Sequence, residues 1–429
     1  MAAPWSAVQT LDSHPTDFRS GPKIRINDAG NIVAVWVSKG TDDYDIYGSY
    51  YTVASGIWST PTLIEDINDP DFELDTESLQ MTIDNSGNAT VVWSLDNGSY
   101  DDIYVNRFDA ATESWGLARR LDIYFEDSTY PQIGSDDSGN VLVVWLQTLP
   151  TKETIMACRY DANTGWEVPV SLNTDGIINQ WEPSLAVNAA GQALAVWTQR
   201  EDFNFETDVV AQRYEPSIGW DPTPVLLDSL VGETENAEVL LDSQGNATVL
   251  WSQEVGTDDK LFANYYNAST QAWEGDEAVE NLPSSIENEA KIAMSDNGKI
   301  MAVWPYKTNT NEYVFYANHF TVGSGWGVEE IFIPTTVNSP DFDIVMDNSG
   351  NAIMSHFEND KSGGQNATNW PVYTVTSRYN ADLDKWNESV MLAPLRARRI
   401  DLHATPSGKA AITWSTRDNG YAIKVSILD

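Results

Sequence analysis

Short apolar runs alternate with polar turns along this chain at a nearly constant spacing. A small polar residue, a Gly and a brief apolar stretch ending in Trp recur as GNIVAVW, GNATVVW, GNVLVVW, GQALAVW, GNATVLW, GKIMAVW, GNAIMSH and GKAAITW. The glycines are Gly30, Gly87, Gly139, Gly191, Gly245, Gly298, Gly350 and Gly408, separated by 57, 52, 52, 54, 53, 52 and 58 residues. A period of that length means a repeat architecture.

Within a unit the pattern predicts four strands. In the second copy residues 79–83 alternate and run into Asp84-Asn85-Ser86-Gly87, where Asp bonds its own turn and Gly supplies positive φ. Residues 89–93, 103–108 and 115–121 supply the other three strands, and the fourth copy repeats this at 183–187, 193–197, 209–214 and 220–226. The runs are short, β-branched or aromatic, and bounded by Gly, Asn, Asp and Pro; no long amphipathic helix appears. Four antiparallel strands in some fifty residues make one propeller blade, so the expected fold is an all-β, eight-bladed β-propeller, a single domain over residues 1–429. Residues 5–11 match a fourth strand and 421–428 a third, so the N-terminus is expected to complete the last blade and close the ring, removing an open edge. Fourth-strand Trp residues at Trp5, Trp58, Trp115, Trp166, Trp220, Trp273, Trp326 and Trp386 agree with eight units.

Seven second strands end in Trp (Trp36, Trp93, Trp145, Trp197, Trp251, Trp304, Trp414), and side chains repeating with the fold symmetry are expected to fill the wedges between blades. The eighth position is His356, beside an insertion over 359–369. Cys158 is the lone cysteine, so no disulfide framework is possible. With 64 acidic against 24 basic residues the formal charge is −40, which disfavours nucleic acid and suits cations, basic protein patches, uncharged sugars or a salty medium. No apolar run reaches the ~20 residues of a membrane helix. A secreted or surface-displayed monomer is expected, any leader lying outside this chain. The sequons at Asn88 and Asn246 fall in the recurrent turn and are read as turn chemistry.

Blade geometry puts the short uniform turns at one end and the variable crossovers at the other, and variable loops on a rigid scaffold carry function. Three groups stand out on the crossover side. Asp69, Asp71 and Asp75 form an acidic loop suited to Ca²⁺, though without the Gly turn and terminal Glu of a dedicated calcium loop. Trp181, placed in a crossover, and Phe203 and Phe205, placed in the next loop of the same blade, break the repeat pattern and form a candidate ligand-binding patch for a glycan or protein. Arg396, Arg398 and Arg399 form a basic cluster in the last crossover. Lys23, Gln80, Gln132, Ser184, Glu238, Lys291, Asp343 and Asp401 occupy one equivalent position of the innermost strands and are candidates to face the channel.

The turn Tyr160-Asp161-Ala162-Asn163-Thr164-Gly165-Trp166 resembles the Asp-box of sialidase-like propellers, which joins Asp, Gly and Trp between the third and fourth strands. It departs in lacking the Ser or Thr before Asp and in setting Gly directly before Trp. The resemblance, present in every blade, implies a bacterial-type propeller repeat. The sialidase set of converging arginines, a Tyr-Glu pair and an acid is not assembled, and no zinc signature, nucleophile elbow or phosphate loop occurs. No catalytic residue is assigned. The leading expectation is a non-catalytic binding propeller that presents acidic and aromatic loops to a glycan or protein; the alternatives are a polysaccharide-degrading lyase or hydrolase with its site in the axial funnel, and a structural spacer in a surface assembly.

Overall fold

The computed structural model describes residues 4–14, 18–39, 44–67, 73–74, 78–172, 179–200, 206–282, 290–308, 312–337, 341–359, 372–387, 389–393, 397–417 and 420–428. Among these the chain is all β: eight antiparallel sheets, one per repeat, make an eight-bladed β-propeller. The chain clusters into two compact units, Met1–Pro70 with Pro305–Tyr316 and Ile331–Asp429, and Asp71–Trp304 with Ala317–Glu330. Blades one, seven and eight belong to the first unit and blades two to five to the second.

The repeated turn is a side-chain clamp. In blade two Asp84 Oδ1 accepts the Asn88 backbone N–H at 2.9 Å and Oδ2 the Asn88 amide at 2.8 Å, while Asn88 Oδ1 accepts the N–H of Ala110 at 3.0 Å in the third-to-fourth turn. Asp136 with Asn140, Asp242 with Asn246 and Asp347 with Asn351 repeat the arrangement. Glycine is required there twice over: Gly139 has φ +81°, and a Cβ on it would lie 3.0 Å from Asp84 Oδ2 of the preceding blade. The Asp-box-like turn is an Asx turn, with Asp161 Oδ1 accepting the N–H groups of Asn163 and Thr164 at 2.9 and 3.2 Å.

All seven repeated tryptophans are 0% exposed. Trp145 packs on the preceding blade against Val92, Ile103 and Val105, and Trp251 against Leu194, Val196 and Val209. Opposite the Trp, the innermost strand carries a β-bulge. Register slips between Ser20 and Lys23, Thr129 and Gln132, Trp181 and Ser184, and Glu235 and Glu238, so that two residues face one Trp. The bulge uses the left-handed region at Gly21, Tyr130, Asn236 and Arg399 (φ 51° to 55°). Arg398 and Arg399 therefore sit on the innermost strand of blade eight, Ala397–Ala404, and both are exposed; Arg396 lies outside the described residues.

An innermost strand has a sheet partner on one side only, and its open edge is served by the preceding blade. Ser184 Oγ accepts the N–H of Val239 at 3.3 Å, Glu238 Oε2 that of Ile292 at 3.0 Å, Asp343 Oδ2 that of Leu402 at 2.8 Å, and Asp401 Oδ2 that of Ile24 at 2.7 Å. These positions, read from the sequence as channel-facing, stitch blade to blade. At the last of them Arg25 pairs with Asp401 at 2.8 Å, and His403 Nδ1 accepts the N–H of Ile26 at 3.3 Å. Burial, with Arg25 beside it, pushes the His403 imidazole down to about 3.

In blades one to four and seven the fourth strand differs from the continuous run expected. It is two short pieces separated by a slip: Trp115 pairs with Phe108 but Arg120 with Tyr104, and Trp220 pairs with Tyr214 but Leu226 with Val210. In blade five it is one strand, Ala272–Ala278. Pro222 falls in the gap in blade four, where an amide donor is missing.

The N-terminal strand Gln9–His14 completes blade eight, pairing with Tyr421–Leu428 from Gln9↔Val425 to His14↔Tyr421. Upstream, Ser6 N donates to Ile427 O at 2.7 Å and Ser6 Oγ accepts from Ile427 N at 2.9 Å. Asp12 also accepts the indole N–H of Trp36 at 3.1 Å, tying blade eight to blade one. Deleting residues 1–14 is therefore expected to expose the edge of Tyr421–Leu428 and leave the Trp36 indole without its acceptor. Thermal melting and light scattering should show a lower melting temperature and aggregation; a deletion variant that melts like the full chain refutes this closure.

Candidate functional site

Crossovers begin at buried acids that clamp the third strand. Asp122 Oδ1 accepts the N–H of Ile103 and Asp228 Oδ1 that of Val209, both at 2.8 Å. Arg120 holds Asp122 at 2.6 Å and lies 2.9 Å from Asp102, while also donating to the Tyr124 carbonyl. Burial raises the Asp102 carboxyl, against an opposing hydrogen bond from Asn97, and pushes Asp228 up to about 6. A raised carboxyl often marks catalysis, but the oxygens of Asp228 face a backbone donor inside the blade, and the group is a structural clamp.

Two crossovers are then pinned from below by a Gln two residues after the repeated Trp. Gln147 Nε2 donates to the carbonyls of Glu126 and Asp127 at 3.1 Å, and its Oε1 accepts from Ser128 Oγ at 2.9 Å and from Trp145 Nε1 at 3.4 Å. Gln253 likewise donates to Leu230 O at 2.9 Å and accepts from Trp251 Nε1 at 3.1 Å. The crossover held by Gln147 and Arg120 presents Tyr124 and Phe125 to solvent, Phe125 being 75% exposed with the Arg120 guanidinium 5.6 Å from its ring. Sequence reasoning missed this aromatic pair. The recurring Trp-x-Gln was the signal that a crossover is fixed.

Blade four breaks the rule. Gln199 is the equivalent Gln, yet among the described residues its Oε1 has no partner, nor does Trp197 Nε1, as is also true of the Trp93 and Trp414 indoles. Directly opposite it in the register is Gln180, whose Oε1 accepts the N–H of Ile155 at 2.8 Å and whose Nε2 is buried without a partner. A donor and an acceptor thus lie unsatisfied across one strand pair, which a native structure seldom tolerates. On the other face of the same pair Trp181 is half-buried, with the Arg200 guanidinium 5.1 Å from its ring. Trp181 belongs to the innermost strand Asn179–Val187, paired with Thr198, and not to a crossover as expected. The bulge lets the strand resume beyond Pro183.

Blade three adds two groups at the same end. Glu153 Oε2 accepts the N–H of Gln180 at 3.2 Å. Tyr130, on the adjacent innermost strand Ser128–Ser135, is 47% exposed with φ +53°. Elsewhere the bulge takes Gly21, Asn236 or Arg399; Gly and Asn tolerate that conformation, and a bulky side chain there, Tyr130 or Arg399, is a costly choice. Phe203, Phe205, Asp69, Asp71 and Asp75 lie outside the described residues. Among the described residues no three His, Cys, Asp or Glu side chains gather as metal ligands. No helix is long and apolar enough to cross a membrane. His356 is buried in the Trp position, edge-on to Phe315 at 5.7 Å and 3.2 Å from Glu358. Cys158 is buried, and burial pushes its thiol up to about 12, far from a reactive thiolate.

No family profile and no curated protein matches the sequence. Among solved structures, an ulvan lyase described as a new family of polysaccharide lyase overlays with TM-score 0.51 at 13% identity, covering 86% of this chain and 93% of that one. The same kind of enzyme bound to a glucuronate–sulfated rhamnose unit gives 0.50 at 12%, covering 88% and 91%. A Hadza microbial sialidase gives 0.44 at 11%, covering 93% and 77%. At these identities the likeness is one of fold. The expected non-catalytic binding propeller is nevertheless corrected, because the structures that overlay at 0.50 or better are polysaccharide lyases, in line with the enzymatic alternative.

The electrostatics of the clamps set a pH dependence. Asp228 has its folded pKa raised from 3.8 to about 6, so its stabilising contribution is complete below 3.8 and is lost as pH rises through 6. The loss is at most roughly 3 kcal/mol, at 1.36 kcal/mol per unit. Asp228→Asn keeps the acceptor for Val209, and the difference in stability between wild type and variant, measured by urea unfolding across this range, should fall with pH. A flat difference would show that Asp228 is not desolvated as described.

Proposed function

We propose that the protein is a polysaccharide-cleaving enzyme that binds its chain across the crossover end of blades three and four. The observation that carries this reading is Tyr130: an exposed phenol held in a strained bulge, on the strand next to the one bearing Trp181, which carries Arg200 on its ring. Strain of this kind costs about 1–3 kcal/mol and collects where geometry matters for chemistry. Trp181 offers an aromatic surface to the sugar, Arg200 supplies donors to its oxygens, and Tyr130 is the group assigned to proton transfer at the scissile linkage, with the Glu153 carboxylate on the same side. The pinned pair Tyr124 and Phe125 extends the platform. The overlay with the two polysaccharide lyases supports the reading at the level of fold. The charge of −40 favours an uncharged or weakly charged polysaccharide, since a polyanion would approach only where salt shortens the Debye length to about 10 Å or less. Such a substrate fits a secreted enzyme.

Tyr130→Phe should lower kcat by about 10²-fold or more on whichever polysaccharide a panel of substrates identifies, with unchanged melting. Trp181→Ala should weaken substrate binding by at least about 2 kcal/mol, seen as a raised KM. Trp197→Ala should instead unfold the blade, costing about 3–5 kcal/mol. Saturated reducing ends would mark hydrolysis, the cleavage open to an uncharged chain; unsaturated products would mark elimination, which needs uronate units whose carboxyl acidifies the proton removed. A wild-type protein that cleaves nothing, or a Tyr130→Phe variant at full rate, overturns the assignment.

A further inference from the structure

The blades carry an internal standard for what a packed inter-blade seam looks like. On the third strand of blade two, Arg107 lies over the Tyr160 ring of blade three, 3.9 Å from its centroid; Arg213 of blade four lies over Tyr266 of blade five at 4.1 Å. Between blades three and four the equivalent pair is Arg159 and Tyr214. There Arg159 pairs with Glu167 at 2.8 Å and Asp161 at 2.9 Å while still hydrogen-bonding Tyr214, as Arg213 pairs with Glu215 at 3.1 Å, and a cleft of about 580 Å³ opens beside it.

One position earlier on the third strand, blades two, five and six use Asn with both ends of its amide bonded, and blades one, three, seven and eight use the smaller Ser49, Cys158, Ser377 and Ser426. Asn106 donates to Gly116 O and accepts from Arg107 N; Asn264 donates to Leu227 O and accepts from Gly275 N. Asn318 does the same with Val279, Gly327 and His319. Blade four has Gln212, one methylene longer, which donates to Asp221 O and leaves Oε1 unpartnered although the residue is only 4% exposed. Gln212 lines the cleft together with Arg159, Glu167, Val170, Tyr214 and Trp220. A buried acceptor without a donor costs about 1–3 kcal/mol unless something fills it. The cleft volume is within the range of small-molecule sites, about 300–1,000 Å³.

We infer that this cleft is a second carbohydrate site, distinct from the crossover end, that takes one or two units of an uncharged saccharide. The guanidinium of Arg159 is already matched by two carboxylates, so no spare positive charge calls for an anionic ligand. A neutral acceptor, two aromatic rings and exposed Val170 on the rim call for a molecule with hydroxyl donors on one side and an apolar C–H face on the other. The choice of saccharide rests on the proposed polysaccharide substrate; the cleft itself does not. Lying by the third-to-fourth turns, it would hold a long chain at a second point and raise the effective concentration at the crossover end.

The test is calorimetric titration with neutral hexaoses of glucose (β-1,4 and β-1,3), xylose and mannose. It is run on the wild type, on Trp181→Ala, and on Trp181→Ala carrying Gln212→Leu or Val170→Trp, with cleavage assayed separately. Gln212→Leu removes the unpartnered oxygen, and Val170→Trp fills the cleft from an exposed rim position, so neither should lower the melting temperature. The expected result is that one hexaose still binds Trp181→Ala, and that adding either cleft substitution to Trp181→Ala weakens that binding at least about tenfold, a loss of about 1.4 kcal/mol. Binding unchanged by both cleft substitutions in that background, no binding to Trp181→Ala where the wild type binds, or no hexaose bound up to about 10 mM overturns the inference. Hexaose bound in the cleft of a protein that cleaves nothing would instead sink the enzymatic reading and leave this one standing.

Discussion

The constraint on which the rest of this structure depends is the open edge of the innermost strand. Each has a hydrogen-bonded neighbour on one side only, and a row of unpaired amides buried beside seven fully buried tryptophans could not persist. The solution is a side chain of one blade accepting the amide of the next, seen at Ser184, Glu238, Asp343 and Asp401. Two of the four are Asp and one is Glu, which places part of the chain's acidity in the architecture. At Asp401 the acceptor is reinforced by Arg25, and at His403 a neutral imidazole does the same work two residues on.

The bulge opposite the Trp divides each blade into two ends with different duties. Below it, Asp and Asn clamp the turns so tightly that a Cβ on Gly191 would come within 2.9 Å of Asp136 Oδ2. Above it the strand continues for two or three residues with its faces exchanged, because a one-residue slip in register reverses which side each residue faces. That exchange brings Tyr130 and Trp181 to the crossover end from strands whose lower halves are core. The same device makes a rigid scaffold and an adaptable rim from one repeat.

Most of the scaffold was legible in the sequence because symmetry repeats its structural necessities blade after blade: Gly for the turn in all eight, Trp for the wedge in seven, Asp and Asn for the clamp in four. The N-terminal strand was legible for the same reason, as a unit missing from one end and present at the other. The split fourth strand was not, since the slip between Trp220 and Leu226 is a matter of pairing with Tyr214 and Val210 that residue types do not announce. Trp181 was recognised as exceptional but assigned to a crossover, because alternation read from the apolar run stops at Pro183 and the bulge hides the strand beyond it. Phe203, Phe205, Asp69, Asp71 and Asp75 lie outside the described residues. Tyr124 and Phe125 escaped notice because crossovers share no pattern, and their rigidity comes from Gln147, a residue on a different strand.

A repeat protein supplies its own controls, and this gives its departures from symmetry a meaning that a single domain cannot offer. A position occupied by Gly or Asn in two blades and by Tyr or Arg in two others, or by fully bonded Asn in three and by half-bonded Gln in a fourth, has lost stability relative to an alternative the same chain already uses. Tyr130 in blade three and Gln180, Gln199 and Gln212 in blade four are such departures, Arg399 is another in blade eight, and blade seven holds buried polar atoms without partners among the described residues at Ser355, His356, Thr374 and Thr376. Under the proposed function, those of blades three and four are the ones that binding, and not packing, would have set.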